Sequence, residues 1–79
     1  MIVSIVNDVC MDITGNVESE LECIKLVNKF FRQPNNDSKS VTVYIFTEGE
    51  MLKACELVSS VIWTIRYSGV NVNKVEMLG

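Results

Sequence analysis

Three thiols, Cys10, Cys23 and Cys55, and three acids, Asp8, Asp12 and Glu18, are the side chains best suited to chemistry in this chain. A thiol attacks as its thiolate, which needs a base, a cation or a helix N-terminus beside it. Histidine, the commonest base, is absent, so Cys/His pairs and Ser/His/Asp triads are excluded. Cys23 and Cys55 fall inside expected helices, beyond the first turn. Cys10 lies between Asp8 and Asp12, whose charges raise a thiol pKa rather than lower it. The ordinary role for such a residue is that of a small buried apolar group.

The three acids could gather around a hard cation, which would make the acidic loop at residues 7–16 a divalent-metal or small-molecule regulatory site. Their spacing is not that of an EF-hand, and acids ahead of a helix usually serve its dipole. Gly15, Gly49, Gly69 and Gly79 are isolated, so no phosphate-binding loop is present. Glu48 and Glu50 would repel an anion at the start of the second helix. No catalytic, cofactor or metal residue is assigned on these grounds, and an enzyme is not expected.

The elements that would position these groups read as β(β)αβαβ. "MIVSIV" and "VCMDIT" flank Asn7-Asp8. They form either a hairpin with a two-residue turn or one strand followed by a loop; the clean alternation of the second arm favours the hairpin. "GNVESELECIKLVNKFFRQP" reads as a helix capped by Asn16 and ended by Pro34, with Val17, Leu21, Ile24, Val27 and Phe31 as its buried stripe. The polar segment "NNDSKS" follows as the expected mobile loop. "VTVYIFT" is apolar on both faces and is placed centrally in the sheet.

Thr47 and Glu50 match a capping box at the start of a helix running to about Ser68, with Gly69 as its left-handed exit. "VNVNKVEML" closes the sheet. Its apolar positions change parity near Lys74, which predicts a bulge or a strand end there. The expected architecture is a small two-layer α/β sandwich over residues 1–79. It has a mostly parallel sheet of three or four strands, with two helices on one face. Many folds share this order. The CxxC of thioredoxin-like folds and the acidic cluster and late lysine of receiver-like folds are both missing, so the order carries no function.

The second helix carries the chief anomaly. At 100° per residue, Met51, Ala54, Cys55, Val58, Val61, Ile62 and Ile65 share an arc of about 120°, enough to face a sheet. Leu52, Glu56, Trp63 and Tyr67 form a second band. Trp63 and Tyr67 are four apart, so their rings can touch. Burying this band would remove about 200–300 Å² of apolar area, worth roughly 5–8 kcal/mol before ordering costs. It could pack on the first helix against Cys23, Leu26 and Phe30, meet a second copy of the chain, or meet another partner or ligand.

The net charge of −3 argues against nucleic acid and anionic membranes as partners. The acids dominate the first 22 residues, while Lys25, Lys29, Arg32 and Lys39 make the middle basic. With 48% hydrophobic and 22% charged residues, the chain is expected to fold rather than remain disordered. No secretory signal, CxxC pair or 18-residue apolar run is visible, so the expectation is a cytoplasmic protein with free thiols. Together these features predict a small non-enzymatic protein–protein interaction module, an adaptor, regulator or inhibitor of a larger protein. It is expected to be a homo-oligomer that self-associates through the second helix, with Leu52, Glu56, Trp63 and Tyr67 as interface residues. The sequence itself does not reveal the partner.

Overall fold

The structure, a computed structural model, describes residues 1–9, 12–34, 36–49 and 51–78, with Met51 described for its backbone. The chain forms β1 (Ile2–Asn7), β2 (Asp12–Asn16), α1 (Glu20–Phe31), β3 (Ser40–Phe46), α2 (Met51–Tyr67) and β4 (Asn71–Leu78). Strand alternation divides the sheet into two faces. Val3, Ile5, Ile13, Val41, Val43 and Ile45 are buried on one face, while Ser4, Val6, Thr42 and Tyr44 lie half-buried between them. The buried set joins Cys23, Val27 and Phe30 of α1 and Leu57, Val58, Val61 and Ile65 of α2 in a single core. Both helices therefore cover the same face.

The strand order is β2-β1-β3-β4. The sheet is mixed, not mostly parallel: β1 pairs antiparallel with both β2 and β3, and β3 pairs parallel with β4. The hairpin causes this. It folds β1 back between β2 and β3, so the crossover through α1 joins two co-directional strands that are not neighbours, and the strand between them opposes both.

The hairpin differs in register from the expected two-residue turn. Val6 stands opposite Asp12 and Ile2 opposite Asn16, a register that leaves more than two residues between the arms. The Val9 N–H donates to Asn7 Oδ1 at 3.1 Å, an Asx turn that competes with continued pairing. Cys10 and Met11 lie outside the described residues.

Gly15, read as the lead-in to a helix, instead lies in β2. A Cβ there would sit 2.8 Å from Leu26 Cδ1, so glycine lets α1 approach the sheet closely. The α1 cap is accordingly Ser19 rather than Asn16: its hydroxyl accepts from the Glu22 N–H at 3.4 Å, and the Glu22 carboxylate accepts from the Glu18 N–H at 3.3 Å.

The buried face of α1 also departs from expectation. Cys23, Leu26, Val27 and Phe30 are buried, whereas Leu21 and Ile24 are 60% and 43% exposed. The two stripes are offset by about 100° around the axis, and Val27 belongs to both. Segment 36–38 is tied down by side chains. Asn36 Nδ2 donates to the Phe30 carbonyl at 2.9 Å, and Asn7 Nδ2 donates to Asn36 Oδ1 at 3.0 Å. Ser38 Oγ lies 2.9 Å from Asp8 Oδ1 and 2.8 Å from the Ser40 carbonyl.

At the entrance to α2 the Thr47 N–H donates to the Leu78 carbonyl at 3.2 Å; the capping box expected between Thr47 and Glu50 falls on Glu50, which lies outside the described residues. Gly69 closes α2 at φ 82°, a backbone conformation that glycine adopts without a Cβ penalty. In β4, Val72 and Lys74 pair with the consecutive residues Val41 and Thr42. Asn73 is therefore the extra residue of a bulge, where the sequence changes parity. Among the described residues no helix is long and apolar enough to cross a membrane.

Candidate interaction surface

α2 divides its side chains between core and solvent. Ala54, Leu57, Val58, Val61 and Ile65 are buried, and they centre on the side of the helix opposite Trp63. Compared with the expected stripe, Leu57 is gained and Cys55 is lost to solvent. The shift follows from α1 packing alongside: Cys23 Sγ donates to the Leu57 carbonyl at 3.6 Å, and Ser60 Oγ donates to Glu20 Oε1 at 3.0 Å.

The four expected interface residues are all on the surface. Leu52 is 86% exposed, Trp63 62% and Tyr67 85%, and Glu56 is exposed as well. Cys23, Leu26 and Phe30, which might have covered the aromatic pair, are instead in the core. The rings of Trp63 and Tyr67 lie 5.9 Å apart at 39° to each other, a tilted contact that holds both in place. They wall a shallow groove of about 430 Å³ with Ser60 and Thr64 of α2 and Glu20 and Ile24 of α1. Leu52 stands eleven residues before Trp63, about 16 Å along the axis. The structure therefore brings Trp63 and Tyr67 together and leaves Leu52 and Glu56 as an extension of the same band.

Ile24 was missed as a surface residue because its spacing matched a core stripe. A second apolar surface was also missed. Ile2, Phe46 and Leu78 stand in register across β1, β3 and β4 on the open face of the sheet, with Ile2 40% and Phe46 45% exposed. The apolar content on both faces of β3 was the available signal. It was read as a sign of central placement, which β3 has, but that placement does not ensure cover on both sides.

The groove offers the Trp63 and Tyr67 rings, the Ile24 side chain and the Glu20 carboxylate. Such a surface can seat an apolar side chain and hold a neighbouring Lys or Arg. Its hydroxyls are engaged, Ser60 donating to Glu20 and Thr64 to the Ser60 carbonyl. Cys23 is buried, and desolvation first, then the charges of Glu20 and Glu22, push its thiol up to about 11.

The acidic trio is dispersed. Asp8 accepts from Ser38, Asp12 is in β2, and Glu18 lies 2.8 Å from the Met1 ammonium. The hydrogen bond from that ammonium, followed by its charge, holds the Glu18 carboxyl below its ordinary value. Among the described residues no three of His, Cys, Asp and Glu come close enough to hold a metal ion. Lys25, Lys29 and Arg32 cluster with Asn28 and Gln33 on the outer side of α1. Comparison with known proteins yields no relative: no family model, no curated protein and no solved structure matches the chain.

Proposed function

We propose that this chain is a small, non-enzymatic protein–protein interaction module, an adaptor, regulator or inhibitor of a larger protein. It self-associates through α2, with Leu52, Glu56, Trp63 and Tyr67 in the contact. The observation that carries the reading is the exposure of Trp63 and Tyr67 at 62% and 85% on the groove shared with α1. Exposed aromatic pairs of this kind are what interface hot spots are built from. The missing histidine and the raised Cys23 thiol support a role without catalysis. The free thiols of Cys23 and Cys55 support a reducing, cytoplasmic setting. The alternative use of residues 7–16 as a ligand loop has less support, because Asp12–Asn16 of that segment is a paired strand.

Analytical ultracentrifugation of the wild type and of the Trp63→Ser, Tyr67→Ser variant tests the self-association. The wild type is expected to sediment above monomer mass at high micromolar concentration, and the variant less so. A wild type that stays monomeric throughout removes the homo-oligomer from the reading. A thermal-shift screen with divalent cations and nucleotides tests the alternative, which any specific stabilisation would revive.

A further inference from the structure

β4 is an eight-residue edge strand, paired with β3 on one side. Its helix-facing residues are less covered than their neighbours. Val72 and Val75 are half-buried and Met77 is 39% exposed, whereas their register partners Val41, Val43 and Ile45 are 1%, 0% and 0% exposed. α2 is drawn toward α1, so the flank it turns to the β4 side holds exposed Cys55 and half-buried Ile62. The apolar layer between sheet and helices thus stays open along this edge. Another sheet and helix layer continuing the first would close it.

Edges are commonly blunted by a lysine or a bulge, and β4 has both, at Lys74 and Asn73. Lys74, however, has Glu76 beside it on the same face, with Nζ 3.4 Å from Oε2. The Leu78 carbonyl accepts from Thr47 on the β3 side, so alternation turns the backbone groups of Val75 and Met77 outward. Residues directly opposite in an antiparallel pair share a face. A twofold self-pairing must therefore be centred on a residue. Centring on Lys74 or Glu76 sets like charges face to face, and centring on Met77 sets Glu76 opposite Leu78 with no charge complement. Centring on Val75 sets Val75 against its own copy and each Lys74 against the Glu76 of the other copy.

We propose that a second copy of this chain pairs antiparallel along β4, with Val75 on the twofold axis and Lys74 opposite Glu76 in both directions. The outward N–H and C=O groups of Val75 then bond reciprocally, and the two α2 flanks bearing Ile62 become neighbours. The charge order favours the same strand over an unrelated one. This contact is separate from the aromatic band and goes beyond the reading above.

The test is sedimentation equilibrium in the Trp63→Ser, Tyr67→Ser background, which removes both aromatic rings from the α2 band. The background is expected to form a dimer of twice the 8.9 kDa chain mass. Adding Glu76→Lys places lysines opposite each other twice and should raise the dimer Kd about tenfold or more. Adding Lys74→Glu to that variant restores the opposite charges and should restore the dimer. Both side chains are on the surface, and far-UV circular dichroism verifies the fold of each variant. The proposal is overturned if Glu76→Lys leaves the dimer intact, or if the swap fails to restore it. A monomeric background also overturns it; if the wild type then dimerises, the aromatic band alone carries the self-association. A background dimer that dissociates on charge reversal and returns with the swap places this contact at the β4 edge, independently of the helix band.

Discussion

Cys23 illustrates how position, not residue type, decides chemistry. Its thiol is fully buried between the helices and donates to the Leu57 carbonyl. Desolvation raises its pKa from 9.0 to about 11. Below pH 9 the thiol is neutral in both folded and unfolded chains, and its contribution to stability is fully present. Between pH 9 and 11 the unfolded chain ionises first and binds fewer protons than the native chain, so stability falls as pH rises. Two pKa units correspond to about 2–3 kcal/mol. Urea unfolding of the wild type and of Cys23→Ala should therefore show their stability difference shrinking by that order from pH 9 to pH 11. A constant difference would mean that the thiol is hydrated in the native state. Cys55, exposed on α2, should react with iodoacetamide at neutral pH while Cys23 reacts only after unfolding, as peptide mass spectrometry would report.

At the scale of elements, α1 carries two apolar stripes and buries only one. Cys23, Leu26 and Phe30 turn inward and Leu21 and Ile24 turn outward. Either stripe satisfies helical periodicity, so the choice depends on what each meets. The inward stripe meets the sheet near Gly15, where the missing Cβ leaves room for Leu26. Phe30→Ala should cost about 3–5 kcal/mol through a cavity in the core, whereas Leu21→Ala should stay within about 0.5 kcal/mol. Denaturant titration of the two variants distinguishes the faces, and equal losses would place Leu21 in the core after all. The start of α1 follows the same pattern: Asn16 and Ser19 can both cap a helix, and extension of β2 to Asn16 leaves Ser19 in the role. In α2 the pull of α1 rotates the buried face enough to admit Leu57 and release Cys55.

At the scale of the molecule, two layers enclose one core and, among the described residues, leave apolar surfaces incompletely covered at the α1/α2 groove, the open sheet face at Ile2, Phe46 and Leu78, and the β4 edge. A domain of this size has a stability on the order of 3–5 kcal/mol from its own core. Association would add to that by mass action. Each added 1 kcal/mol moves Tm by about 4–8 °C for a chain of this length, so Tm should rise as protein concentration is raised a hundredfold in differential scanning calorimetry. A Tm independent of concentration would show that the native chain is a monomer over that range.

The sequence alone determined a small α/β chain with two helices, the left-handed exit at Gly69, the parity change that becomes the β4 bulge, and the separation of Leu52, Glu56, Trp63 and Tyr67 from the sheet-facing stripe of α2. Each is written in local spacing or in a residue's own backbone preference, which act within a few positions along the chain. Tertiary structure decided the mixed sheet, the inward face of α1, the inclusion of Ile24 in the aromatic groove and the open flank beside β4. These depend on which surfaces meet across the fold: β1 lying between β2 and β3, and α2 drawn toward α1. Local periodicity is indifferent to such choices, because burial is settled only when distant segments compete for the same cover.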